Sequence, residues 1–188
     1  MVGSVKRILE VMLLQSGSQL DDDSFRTLLA EIMYLINSRP LAIQNLTDSS
    51  CTDPITPNHL LTMKKRVLLP PPSAFVKEDI YSIKRWRRVQ YMVNVFWSKF
   101  RADYMAYLTS RSKWTAPSPN LKPGDVVLVK QESPRAQWPL ARIIEAEQDS
   151  DGLVRQCKLR MPGHNKFLQR PVQKLVLLIP VDPAREMD

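Results

Sequence analysis

Lys122-Pro123-Gly124-Asp125-Val126-Val127-Leu128-Val129-Lys130 decides the fold class, because here helical periodicity gives way to short alternating runs. Lys122 to Asp125 is a turn, with proline and glycine side by side, and the valine-rich run after it is a strand. The same rhythm repeats downstream. Leu140 to Glu147, Leu153 to Met161, Phe167 to Arg170 and Leu175 to Ile179 read as further strands. Asp149-Ser150-Asp151-Gly152 and Pro162-Gly163-His164-Asn165 read as turns between them. Five short strands joined by tight turns predict a small β-barrel over 121–180.

Upstream of Pro117 and Pro119 the apolar residues recur at helical spacing instead. Trp86, Val89, Val93, Phe96, Trp97, Phe100, Tyr104, Tyr107 and Leu108 form one stripe and predict a long amphipathic helix over 78–113. A buried seam is the reading that periodicity favours for this stripe, with base stacking the other use of such rings. Two shorter helices come before it. Val5, Ile8, Leu9 and Met12 mark one over 2–15, ended by Gly17. Phe25, Leu28, Leu29, Ile32, Leu35 and Ile36 mark the next, led in by Asp21, Asp22 and Asp23 and stopped at Arg39-Pro40. These two should pack as a helical hairpin. From Leu41 to Ala74 the chain is irregular, punctuated by Asp53-Pro54, Thr56-Pro57 and Pro70-Pro71-Pro72, with one helical turn at Asn58 to Met63. The expected class is therefore α+β. It comprises an N-terminal helical hairpin within 1–63, a proline-rich linker over 64–77, the long basic helix over 78–113, and a barrel over 121–180 whose strand order and size resemble an SH3-like barrel.

The net charge of +8 is unevenly spread. Residues 1–63 carry four Lys/Arg against seven Asp/Glu, whereas 77–113 carry nine against three and 121–180 carry ten against six. A positive field confined to the last two thirds of the chain fits a polyanion, since phosphates release condensed counterions on binding. The cluster Lys84, Arg85, Arg87 and Arg88 beside Trp86 is the densest, with Lys99 and Arg101 on the same helix and Arg142, Arg155, Lys158 and Arg160 on the strands. A solvated charged face is the bland alternative for all of them. No run approaches eighteen consecutive apolar residues, so no membrane span is expected. Lys6-Arg7 before Ile8 to Leu14 is not a secretory signal, because Glu10 interrupts it and no small-residue cleavage site follows. Cys51 and Cys157 are far apart with no CxxC partner, which fits a reducing compartment, nuclear or cytoplasmic.

The constellations that carry catalysis are absent from this pattern. There is no Gly-rich phosphate loop, no HExxH and no paired metal-ligand spacing. His59, in Pro57-Asn58-His59-Leu60-Leu61, reads as a capping or packing histidine, and His164 as a solvated turn residue. Asp21, Asp22 and Asp23 serve a helix start; two-metal chemistry needs carboxylates converging from separate elements. No catalytic residue, no metal ligand, no cofactor and no small-molecule substrate is expected.

Several stretches, in order, resemble one family. Val2-Gly3-Ser4-Val5-Lys6-Arg7-Ile8-Leu9, Leu28-Leu29-Ala30-Glu31-Ile32, Ile36-Asn37-Ser38-Arg39-Pro40-Leu41 and Thr56-Pro57-Asn58-His59-Leu60-Leu61 look like the end of the integrase core of Pao/BEL-type LTR retrotransposons. Lys84 to Tyr91, Phe96-Trp97, Pro123 to Leu128, Trp138 to Arg142, Asp151 to Arg155 and Arg170 to Leu175 resemble the uncharacterised domain that follows that core in the same polyproteins. The resemblance implies an RNase H-like core using two Asp, a Glu and divalent metal (Mg), whose last acid would lie just before the residues matching Met1-Val2-Gly3. Its strands and ligands are then missing from this chain, and the stripes of the first two helices are partly orphaned. Lys6 would lie about two helical turns past that Glu, in reach of DNA, or be simply solvated. The barrel would correspond to the DNA- or chromatin-contacting C-terminal domain. Its only aromatics, Trp138 and Phe167, are expected in its core, which leaves no aromatic cage for methylated tails.

Three readings follow. The first is a non-catalytic DNA-binding piece of an integrase that contacts phosphates without reading sequence. The second is an interaction module that self-associates through the 86–108 aromatic stripe and docks a peptide on the barrel. The third is the tail of a longer, active integrase.

Overall fold

A computed structural model describes residues 2–16, 20–43, 54–64, 74–81, 85–110, 120–161 and 167–181. Lys84, Cys51, His164, the triple proline, the turn at 162–165 and residues 182–188 lie outside the described residues. Among the described residues the architecture is mixed: four α-helices and a five-stranded antiparallel sheet, with a minimal two-stranded pair. The chain divides into two compact units, Met1–Arg39 with Thr56–Tyr104, and Pro40–Ile55 with Met105–Asp188.

The first unit holds α1 (Val2–Ser16), α2 (Asp22–Asn37), α3 (Pro57–Thr62) and most of α4 (Arg85–Ser110). Spacing by three and four puts Ile8 and Met12 of α1 inside, with Leu28, Ile32 and Leu35 of α2. On α4 the buried set is Val89, Met92, Val93, Phe96, Trp97, Phe100 and Tyr104. Phe96 stacks on Phe100 at 5.6 Å between centroids, and Phe100 on Tyr104 at 6.1 Å. Polar ties register the helices: Arg7 of α1 to Asp103 of α4 at 2.6 Å, and Gln90 Nε2 of α4 to Glu31 Oε1 of α2 at 3.1 Å. α1 and α2 thus share a unit with most of α4, tied to it by Arg7–Asp103 and Gln90–Glu31.

The punctuating motifs are structural devices. Ser38 Oγ donates to Leu35 O and Arg39 Nη1 to Ile36 O, satisfying carbonyls that α2 leaves open at its end. Thr56 caps α3 by accepting from His59 N, Pro57 takes the first helical position, and Asn58 Nδ2 donates to Tyr34 O of α2. Between them, in the stretch read as irregular, β1 (Ala42–Ile43) pairs with β2 (Pro54–Ile55).

Among the described residues the long helix runs Arg85–Ser110 and does not take in the stretch around Glu78. The segment before it forms a 3-10 helix, Lys77–Tyr81, organised by the buried Asp79. Asp79 Oδ2 accepts from Val76 N at 2.9 Å, and the same carboxylate takes Arg87 Nε at 2.8 Å and Nη2 at 3.2 Å. Phe75 packs edge-on to Trp86 at 5.6 Å, so this strap is pinned to the first turn of α4.

In the second unit β3 (Val126–Val129), β4 (Leu140–Gln148), β5 (Val154–Arg160), β6 (Phe167–Pro171) and β7 (Leu175–Ile179) fall where alternation placed them. The strand order is β6-β5-β4-β3-β7: a four-stranded meander, a 3-10 turn at Val172–Lys174, and a last strand that returns to pair with β3. The sheet is open rather than closed into the barrel that the sequence led us to expect; β6 and β7 are its edges. One face carries the core, Val127, Val129, Ala141, Ile143, Val154, Cys157, Leu159 and Leu175. Burial raises the Cys157 thiol pKa, with Asp125 and Glu147 adding to the effect, so this cysteine behaves as a small apolar core residue.

Asp125 closes the sheet's start. Its Oδ2 accepts from Lys122 N and its Oδ1 from Val181 N, both at 2.8 Å, tying the turn before β3 to the residues after β7. Gly124 has φ +92°, and a Cβ there would lie 2.9 Å from Val181 Cγ2, so glycine is required on both counts. Asn120 bridges the β4–β5 turn, donating to Gly152 O and accepting from Val154 N.

Candidate nucleic-acid interface

The basic residues singled out from the sequence separate into three groups once their partners are seen. The first group is committed to carboxylates. Arg87 gives two donors to buried Asp79, and this bond, with Val76 N second, holds the Asp79 carboxyl below its ordinary 3.8 against the opposing effect of burial. Phosphate contact by Arg87 would have to displace that carboxylate. Arg85 Nη1 meets Asp21 at 2.7 Å, with both side chains exposed; such a pair is loose and open to exchange. Arg155 lies within 3.3 Å of both Asp149 and Asp151 in the β4–β5 turn, and Lys158 Nζ is 3.1 Å from Glu145 across the ladder.

The Asp79–Arg87 pair has a testable acid signature. A carboxylate whose folded pKa is depressed adds stability above its unfolded value, and that contribution is lost as pH falls through the folded pKa. Stability should therefore decline below about pH 4 in the natural chain and more shallowly in Asp79→Asn, as read from thermal midpoints between pH 6 and 2.5. Parallel curves for the two proteins would remove Asp79 from the acid transition.

The second group is half-buried on α4: Arg88, Lys99 and Arg101, each engaged within the chain. Lys6 is exposed on α1. The third group is Arg142 and Arg160. Arg142 lies between core residues Ala141 and Ile143, and Arg160 follows core residue Leu159, so alternation turns both to the opposite face of the sheet. They are directly opposed in the β4–β5 register. Neither has an acidic partner among the described residues, and Arg142 Nε and Nη2 are buried without any hydrogen-bond acceptor there. Like charges facing each other across a ladder, and guanidinium donors left without acceptors, both cost stability. An anion would relieve both.

The same row continues to Phe167, opposite Arg160 in the β5–β6 register. Phe167 is 54% exposed, which corrects the expectation that it belongs to the core; Leu168 takes the inward place, and Trp138 alone of the two aromatics is buried. The run Phe167-Leu168 does not reveal which residue points inward. Pairing of Leu168 with Leu159 decides it.

A family model matches residues 84–178. The chain belongs to the family of unknown function DUF5641. The DUF5641 span takes in α4, the whole β3–β6 meander and nearly all of β7, and so contains the complete Arg142–Arg160–Phe167 row. DUF5641 is typically seen in retrotransposon polyproteins. No curated protein and no solved structure matches the chain. Among the described residues no three His, Cys, Asp or Glu side chains are placed to hold a metal ion, and no helix is long and apolar enough to cross a membrane.

Proposed function

We propose that this DUF5641 chain is a non-catalytic, nucleic-acid-binding C-terminal portion of a retrotransposon integrase of the Pao/BEL type, acting in the nucleus on DNA phosphates without sequence readout. The observation that carries the reading is the opposed Arg142–Arg160 pair, two cations on one sheet face with no acidic partner among the described residues. Lys6 and the loosely paired Arg85 add positive surface, while Arg87, Arg155 and Lys158 act first in holding the fold. The sheet is read as a partly open SH3-like barrel, on the strength of its meander, 3-10 turn and returning strand. Self-association through the aromatic stripe is disfavoured. Val89, Val93, Phe96, Trp97, Phe100 and Tyr104 are buried within the single chain, leaving Trp86 and Tyr107 exposed.

The test is binding to duplex DNA of arbitrary sequence across a salt series. The natural chain should show affinity falling steeply with salt, and Arg142→Ala with Arg160→Ala should flatten the log–log slope by about 1 per residue. Arg142→Met should weaken binding while leaving the thermal midpoint unchanged or slightly raised, since it removes orphaned donors and keeps the aliphatic stem. Affinity indifferent to salt, or untouched by both arginine substitutions, would remove the assignment.

A further inference from the structure

The row Arg142, Arg160, Phe167 crosses three adjacent strands on one face, and its chemistry is not uniform. Two half-buried arginine residues lie at one end, with Nε and Nη2 of Arg142 covered, and an exposed aromatic ring at the other. Adjacent strands are spaced by about 4.8 Å, so the row covers roughly 10 Å. The ring is held without being buried: Lys158 Nζ stands 5.0 Å from its centroid, while Glu145 anchors Lys158 from the far side. The neighbouring rows carry Glu145 and Glu147 on β4 and the hydrogen-bonded amides Gln156 and Gln169 on β5 and β6. Those carboxylates repel a polyanion from the rest of the face and leave the Arg142–Arg160–Phe167 row as the favourable track.

Duplex DNA has no use for Phe167, because its base faces are already covered by their neighbours in the stack. An unpaired strand has both things this row asks for: phosphates for the arginines and a free base face for the ring. Building on the phosphate-binding reading above, we infer that the β4–β5–β6 face takes single-stranded nucleic acid, with a base stacked on Phe167 and the adjoining backbone held by Arg142 and Arg160. The strand runs across the sheet strands, along the row, with a footprint of a few nucleotides.

Fluorescence anisotropy with the full chain tests this, using labelled oligothymidine and a duplex of equal length, with the variants compared at one salt concentration and the natural chain followed across a salt series. Phe167→Leu should weaken oligothymidine binding about tenfold and duplex binding by less than about twofold, and Phe167→Tyr should restore the single-strand affinity. Arg142→Ala and Arg160→Ala should weaken both ligands. The exposed position makes Phe167→Leu harmless to folding, and an unchanged thermal midpoint checks that. Equal loss for both ligands, or no loss for oligothymidine, overturns the stacking assignment while leaving salt-dependent phosphate binding in place. Salt-independent binding of both ligands overturns the phosphate reading itself.

Discussion

Phe96→Ala should destabilise the helical unit by about 4 kcal/mol, the range expected when a fully buried phenylalanine is cut back and its cavity only partly collapses. Phe96 is 0% exposed and sits in the middle of α4, stacked on Phe100 with rings 11° from parallel. Its neighbours on the stripe, Met92, Val93 and Phe100, are also buried, so the space left behind has no route to fill from solvent. With a urea dependence of about 2 kcal/mol per molar, the midpoint should drop by about 2 M, and Phe96→Leu, which keeps most of the volume, should recover the greater part. A shift of less than about 0.5 M for the alanine variant would mean that this stripe is not the interior of the unit.

That stripe shows how far sequence alone reaches. A period near 3.6 followed by alternation was enough to place α4 and all five strands of the sheet, because each element hides one face and the pattern of hiding is written in its own residues. The failures share a different cause. Lys77–Tyr81 forms a 3-10 helix rather than part of α4 because Asp79 captures Val76 N and Arg87 together, a choice fixed by tertiary contact and not by local propensity. The short β1–β2 pair joins two-residue segments with no periodicity to read. The open sheet, too, is a matter of edge pairing that strand patterns do not encode.

The candidate site was legible as charge but not as arrangement. The basic residues singled out from the sequence looked alike apart from their clustering; among the described residues Arg87, Arg155 and Lys158 have acids within reach, and Arg142 and Arg160 do not. The distinction comes from ladder register. Lys158 meets Glu145 and Arg160 meets Arg142, although both pairs lie on the same two strands, with a register shift between Ile143 and Glu145. Phe167 was expected in the core, and the same ladder register turns it outward instead. The densest cluster, beside Trp86, drew the eye, yet its Arg87 is where the structure spends a cation on holding a strap in place.

Register depends in turn on how the sheet is closed at its start, and there a single carboxylate governs. Asp125→Ala should cost the sheet unit about 3 kcal/mol, because the amides of Lys122 and Val181 would both lose their acceptor at a site where Asp125 is only 4% exposed. Asp125→Asn keeps one acceptor oxygen but turns an NH2 group toward the second amide, so about half of that loss is expected. The location of the damage is as diagnostic as its size. The two amides lie at opposite ends of the sheet's sequence, and hydrogen exchange should accelerate at both Lys122 and Val181 while the β4–β5 turn, tied separately through Asn120, stays protected. Freed from Val181, β7 keeps only its ladder with β3, already irregular between Val126 and Val127. Because Val126 stands opposite Arg142, loosening there moves the arginine row as well. Single-strand affinity should therefore fall in Asp125→Ala, although Asp125 itself touches no ligand. Full retention of binding with accelerated exchange at Val181 would show that the row is positioned by β4 and β5 alone.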